Sequence, residues 1–223
     1  MAPTTPKTLK VLFHLHPRLD TLDFAGPLEM LSEATYSSPA PPETRVFEPT
    51  VTAVTEQVTS GQNCIFQRHI PVEEAHSRLA EFDVLVIPGG GSDGVLEASS
   101  EPLDLIREWC ALEKEGGRIR TLLSVCTGSL FLAQAGALKG LTATTHPDYY
   151  AKLEEMVGDQ TTVVKERFVV NKVNDNGLRV ITSGGVSCGL DSCIWLINDV
   201  AGKETAERVL HTVQYAWRQG MVV

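Results

Sequence analysis

The chain's strongest chemical signal is a strand that passes into a helix with a cysteine at the junction. In Leu122-Leu-Ser-Val-Cys126-Thr-Gly-Ser129 no loop residues separate the apolar strand Ile119 to Val125 from a helix running from Thr127 to about Ala135. This is the arrangement of a nucleophile elbow. A side chain there is held clear of the sheet on tight backbone, and Gly128 removes a Cβ that would crowd the facing strand. The helix start aims its free N–H groups and positive dipole end at the sulfur, so the spacing predicts a lowered thiol pKa and a nucleophilic thiolate. The competing reading of a cysteine is a small buried hydrophobe. It suits Cys64, Cys110, Cys188 and Cys193, of which Cys110 lies on a helical apolar stripe and the last two near the start of a late helix.

Two further segments carry groups that such a nucleophile would use. Gly89-Gly90-Gly91 follows an apolar strand ending at Ile87, where ligands of open α/β sheets bind and where glycine amides can face an anion. The alternative is a plain glycine-rich turn, and the run has neither a GxGxxG nor a GK[ST] pattern for nucleotide phosphates. In Leu22-Asp23-Phe24-Ala25-Gly26-Pro27 a carboxyl sits among apolar neighbours. Asp23 there either caps the following helix or, with a raised pKa, gives and takes a proton. His146, in Ala143-Thr-Thr-His146-Pro147, is the best remote candidate for a general base, though a lone His before Pro also serves structure. His14 and His16 share one face at the end of the first strand without a third ligand, so no metal site is expected.

The elements that must position these groups alternate short apolar runs with longer amphipathic ones, the pattern of a mostly parallel sheet covered by helices on both sides. Strands are expected at Thr8 to Leu15, Val46 to Val58, Phe82 to Ile87 and Ile119 to Val125. A strand pair is expected at Arg167 to Val173 and Leu178 to Thr182, around a turn at Asn174 to Gly177. His16 to Ala25 reads as a loop with Pro27 in the first turn of the next helix, and Ser37 to Pro42 as a Ser/Pro loop. Further helices are expected at Pro102 to Lys114, Val186 to Val200 and Thr205 to Trp217.

With 223 residues, 43% of them hydrophobic, the chain is expected to be a single domain over 1–223 with a sizeable core. Nineteen basic and 28 acidic residues leave a net charge of −9, which argues against nucleic acid as a partner. No apolar run reaches the length of a membrane span, and the stretch Val11 to Leu15 is too short for a signal peptide. Five cysteines with no CxxC pair exclude a complete disulfide framework. A cytoplasmic protein acting on a small-molecule substrate is the expectation.

Taken in order, these segments resemble the ThiJ/PfpI superfamily, whose members face a cysteine elbow with an acidic residue from the first strand-to-helix region. Asp23-Phe-Ala-Gly26-Pro27, Pro88-Gly89-Gly90, Ser124-Val-Cys126-Thr127-Gly128-Ser129-Leu130, Ala143-Thr-Thr-His146 and Thr182-Ser-Gly184-Gly185 are similar to its isonitrile (isocyanide) hydratase branch. Asp23 in place of the Glu of many relatives, and Thr127 in place of the His of the intracellular-protease branch, favour that branch. The resemblance implies an α/β flavodoxin-like three-layer sandwich with a small added hairpin, forming one ThiJ/PfpI-like (class I glutamine amidotransferase-like) domain. It also implies a homodimer without cofactor or metal. Cys126 would be the nucleophile, Asp23 the proton donor and acceptor, and Thr127 would lie near the sulfur. The amides of Gly90 and Thr127 would face the site, with Gly89, Gly128 and His146 around the substrate. Departures are Pro147, where such hydratases tend to carry Trp, the longer Ser37 to Glu43 loop, and the long hairpin around Asn174.

The implied reaction is hydration of an isocyanide to an N-substituted formamide, with protonated Asp23 supplying the proton as Cys126 attacks and then activating water. Its rivals are a glyoxalase III-type conversion of methylglyoxal to lactate, leaning on His146, and a stress sensor in which Cys126 is oxidised. Peptidase activity is weakest, because no His follows the cysteine. The same core occurs in sensors fused to DNA-binding helices, for which the residues after Trp217 leave no room.

Overall fold

A computed structural model of the protein describes residues 6–37, 44–98 and 101–223; the expected Ser/Pro loop lies largely outside them. The chain opens with β1 (Leu9–Leu15), α1 (Thr21–Glu33) and β2 (Phe47–Ala53), then the short strands β3 (Gln57–Thr59), β4 (Ile65–Gln67) and β5 (Ile70–Pro71). Next come α2 (Val72–Ser77), β6 (Val84–Ile87), α3 (Asp93–Ala98), α4 (Leu103–Ala111), β7 (Arg120–Val125) and α5 (Gly128–Gln134). β8 (Thr142–Ala143), α6 (Tyr150–Val157), β9 (Thr162–Val163), β10 (Phe168–Val170) and β11 (Leu178–Ser183) follow. The chain closes with α7 (Cys188–Ala201), α8 (Lys203–Val213) and β12 (Met221–Val222).

Eight strands form one sheet in the order β12-β10-β11-β7-β6-β1-β2-β5, parallel except where β10 meets β11. Period-two alternation with both faces covered explains the continuous apolar runs of β1, β6 and β7. Val11, Phe13 and Leu15 pack with Val84, Val86, Leu123 and Val125 under α1, α7 and α8. Leu12, Leu85, Ile87 and Leu122 face the other way, beneath α2, α4 and α5. The result is the expected flavodoxin-like α/β sandwich. No helix among the described residues is long and apolar enough to cross a membrane.

Several elements differ from the sequence reading. The strand pair expected around Asn174 forms as β10 and β11, antiparallel to each other and part of the main sheet. The separate hairpin is β3–β4, within and beyond what reads as one strand from Val46 to Val58. Helix α1 takes in the last five residues of the expected loop: Asp20, not Asp23, is its N-cap, accepting from the Leu22 amide at 3.1 Å. Pro27 therefore lies inside the helix, where Gly26 and Pro27 meet Leu190 and Gly189 of α7 at close range. Cys64 is exposed in the hairpin turn rather than buried, while Cys188 and Cys193 are buried and Cys110 is half-buried. Trp217 lies beyond α8 and donates from Nε1 to the Asp191 carbonyl at 3.1 Å.

The start of β7 is held by a buried cation. Arg120 is 3% exposed, and its guanidinium donates to the carbonyls of Trp109 and Leu112 at 2.6 Å and of Asn176 at 3.1 Å. It thereby satisfies orphan carbonyls at the end of α4, and it lies 5.8 Å from the Trp109 ring centre. Arg120→Leu strands those carbonyls, so the substitution should cost about 3 kcal/mol. The expected readout is a lower urea midpoint with an unchanged m-value.

Candidate functional site

Residue 126 follows β7 directly, and the junction holds Cys126 at φ +57°, a left-handed conformation that non-glycine residues adopt at a cost. The surroundings fix it there. Its amide donates to the carbonyls of Ser183 and Gly184, both at 3.0 Å, and its own carbonyl accepts from the hydroxyls of Ser129 and Thr145, both at 3.1 Å. The side chain is 6% exposed. Gly128 is required for the close approach the elbow makes to β6, since a Cβ there would stand 2.4 Å from the Ile87 carbonyl oxygen.

Asp23 comes from the first turn of α1 and is fully buried. Its Oδ2 accepts from the Gly89 amide at 3.1 Å, while Oδ1 has no hydrogen-bond partner among the described residues. Burial, with the nearby charge of Asp20, pushes the carboxyl up to about 7, against the pull of the Gly89 N–H and the Cys126 thiol. The thiol is close enough to act on the carboxyl, yet it closes no hydrogen bond to Oδ1 in the strict geometric sense. Structure thus resolves the two readings of Asp23 in favour of the perturbed carboxyl, the cap being Asp20.

The expectation of a lowered thiol pKa is overturned. Burial and the Asp23 charge push the Cys126 thiol up to about 12, and the N–H groups of Thr127 and Val186 aimed at the sulfur offset this only in part. Desolvation of a nearly enclosed sulfur beside a carboxylate outweighs two amide dipoles. At neutral pH the proton therefore rests on sulfur, and Asp23, titrating near 7, is the group able to remove it.

The glycine turn is committed elsewhere than expected. The Gly89 amide serves Asp23, the Gly90 amide donates to Thr127 Oγ1 at 2.8 Å, and the Gly91 amide donates to the Arg18 carbonyl at 2.9 Å. No amide of the three is left for an anion hole. Thr127 returns a hydrogen bond from its hydroxyl to the Gly90 carbonyl at 3.0 Å, so this side chain locks the turn and only its amide reaches the sulfur. The second sulfur donor, Val186, is one the sequence reading missed. Its φ of +39° is a strained value for a β-branched residue, and the preceding Gly184-Gly185 pair is the only local sign of tight backbone. His146 packs on Gly185, one residue from Val186, where a Cβ would meet its Cδ2 at 2.6 Å. Its Nδ1 accepts from the Asp148 amide at 3.2 Å, and no hydrogen bond ties it to Cys126 or Asp23. Cys126, Asp23 and the Thr127 amide come together, then, while His146 stands beside them in a capping role.

A raised carboxyl pKa has a consequence for stability. The folded protein favours the protonated form of Asp23 above its unfolded value of about 3.9, so its contribution is fully present below that pH and is lost as pH rises through about 7. Asp23→Asn should therefore gain thermal stability over the wild type progressively from pH 4 to pH 8, by several degrees at the upper end, in parallel calorimetric scans.

The DJ-1/PfpI family matches residues 9–194 of the chain. The isonitrile hydratase of Pseudomonas putida is 32% identical over 208 residues, which span 93% of this chain and 79% of that protein. Protein DJ-1alpha of Drosophila melanogaster is 27% identical over 164 residues, 73% of this chain and 68% of its own. Among solved structures, a ThiJ/PfpI family protein from Pseudomonas syringae superposes with a TM-score of 0.73 at 23% identity, covering 96% of this chain and 78% of that one. Drosophila melanogaster DJ-1beta does so with a TM-score of 0.70 at 22% identity, covering 95% and 100%. With its elbow cysteine and its sheet both accounted for, this chain belongs to the DJ-1/PfpI family.

Proposed function

We propose that the protein is a hydro-lyase that converts an isocyanide R–N≡C and water to the formamide R–NH–CHO, with Cys126 as nucleophile and Asp23 as proton carrier. The observation that carries this reading is a buried carboxyl, one oxygen unpartnered, beside a protonated thiol under two amide donors. Similarity to an isonitrile hydratase over nearly the whole chain supports the same substrate class.

The terminal carbon of an isocyanide accepts both a nucleophile and a proton. As the sulfur bonds to that carbon, the S–H proton passes to the Asp23 carboxylate, which delivers it to the same carbon to give the thioimidate R–N=CH–S–Cys126. Asp23, again a carboxylate, takes a proton from water as the oxygen adds to the thioimidate carbon and passes it to the imine nitrogen, giving R–NH–CH(OH)–S–Cys126, whose hydroxyl proton is the one left for sulfur. Cleavage of the C–S bond then releases R–NH–CHO, and the sulfur recovers its hydrogen. Substrate and water supply every atom, and no electron is transferred to or from the protein. The N–H groups of Thr127 and Val186 stabilise sulfur while it carries negative charge, before attack and during release. The direction of the thiol pKa weighs against the oxidation-sensor reading, since thiol reacts with peroxide far more slowly than thiolate. The homodimer is part of this proposal, with Leu22, one residue before Asp23, and Ile65 of the β3–β4 hairpin as exposed apolar side chains for it.

The test is formamide release from cyclohexyl isocyanide, with methylglyoxal as the competing substrate. Wild type should form the formamide and Cys126→Ala none above background, while Asp23→Asn should lose roughly 10²–10⁴-fold in kcat/KM. Lactate from methylglyoxal without formamide would overturn the reading. Because the carboxylate form of Asp23 accepts the thiol proton, kcat/KM should climb from pH 5 and level off above about 7. A profile that falls over this range would place the working proton elsewhere.

A further inference from the structure

A cavity of about 560 Å³ opens beside the glycine turn, and neither Cys126, Asp23 nor Thr127 lines it. It is formed at the carboxyl ends of β1, β2 and β6, with Leu15, Val58 and Val95 among its apolar walls. Its volume falls in the range of roughly 300–1,000 Å³ typical of small-molecule pockets. Its position is meaningful as well. β1 lies between β2 and β6; the chain leaves β1 through α1 on one face of the sheet and leaves β6 through α4 on the other. That reversal is a topological switch point, where open α/β sheets bind ligands.

The polar end of the cavity contains groups with nothing to bond. His14 is 1% exposed and lines the cavity, yet neither ring nitrogen has a hydrogen-bond partner among the described residues. Glu101 also lines it; its Oε1 meets His76 Nε2 at 2.5 Å, but its buried Oε2 is unpartnered. The two orphans face each other, Glu101 Oε2 standing 3.7 Å from His14 Nε2, beyond hydrogen-bond reach. Leaving such atoms buried and unsatisfied is costly, so each calls for a partner.

The character of that group follows from charge and donor count. Burial lowers His14 to about 3, so the ring is neutral and one of its nitrogens is always a bare acceptor. Glu101 Oε2 is a second acceptor. His76, in turn hydrogen-bonded to Glu108 at 2.7 Å, is raised by these two carboxylates despite its partial burial. Two carboxyl groups thus flank the one imidazole at this end. Arg18 also lines the cavity, as does Asp93, which Lys152 Nζ holds at 2.8 Å. No three metal-ligand side chains converge among the described residues.

We propose that this cavity binds a small primary ammonium with an apolar body, its –NH₃⁺ donating to Glu101 Oε2 and to the His14 ring. Nothing in the thiol chemistry requires this site, and the two can be tested apart.

The probe is benzylammonium, titrated calorimetrically into the full-length protein, with benzyl alcohol as its neutral isostere. Expected are saturable binding to wild type and Cys126→Ser alike, at least tenfold weaker binding of the alcohol, and at least tenfold weaker binding of benzylammonium to Glu101→Gln. In wild type the imidazole ¹⁵N signals of His14 should move on titration, a readout that needs no variant to fold. Absence of saturable binding, equal affinity for the alcohol, insensitivity to Glu101→Gln or unmoved His14 signals would each overturn the proposal. Loss of binding in Cys126→Ser would reassign the ligand to the thiol site and overturn it too.

Discussion

The structure depends on a missing loop. Because β7 passes into α5 with only Cys126 and Thr127 between them, the backbone must turn within one residue, and it does so by putting Cys126 at φ +57°. Such a conformation survives only where its neighbours over-determine it. Here the carbonyls of Ser183 at the end of β11 and of Gly184 just after it take the Cys126 amide, the Ser129 and Thr145 hydroxyls hold its carbonyl, and Gly128 leaves the gap into which the Ile87 carbonyl fits. The order of β6, β7 and β11 in the sheet is what brings these groups within reach of one residue.

The electrostatics follow from the same enclosure. A sulfur held at the end of a buried strand loses water, and a carboxyl delivered by the first turn of α1 loses it as well. Both neutral forms gain, which is why the pair stores its proton instead of standing as a preformed thiolate. A low-pKa cysteine is permanently reactive toward oxidants. A protonated one beside a near-neutral carboxyl becomes a nucleophile only while an electrophile is in place.

The fold was legible because its signals are local. The apolar runs of β1, β6 and β7 read as buried parallel strands through composition alone, and the absence of any breaker between Val125 and Gly128 marked the elbow. Residue 23 stood out because a carboxyl among Leu22, Phe24 and Pro27 is unusual. Beyond that, what the chain concealed was tertiary. Asp20 and Asp23 look interchangeable as caps until the helix start is known. Which of Gly89, Gly90 and Gly91 keeps a free amide depends on partners at residues 18, 23 and 127. Val186 carries no mark of its strained φ, and the sign of the Cys126 shift is set by burial, which no spacing encodes. Cys64 read as a core residue because the β3–β4 hairpin was hidden inside a longer β-branched stretch.

The contacts that complete the site span long stretches of chain. Gly89 meets Asp23 across 66 residues, Gly90 meets Thr127 across 37, and Cys126 is anchored to β11 nearly 60 residues later in the chain. Loops of that length close late in folding, after local helices and neighbouring strands have formed. A chain emerging during synthesis presents Asp23 first and Cys126 much later, and it lacks the β11 carbonyls that force the elbow until more than 180 residues are made. The geometry that fixes Cys126 therefore cannot exist until the last strands of the sheet are in place.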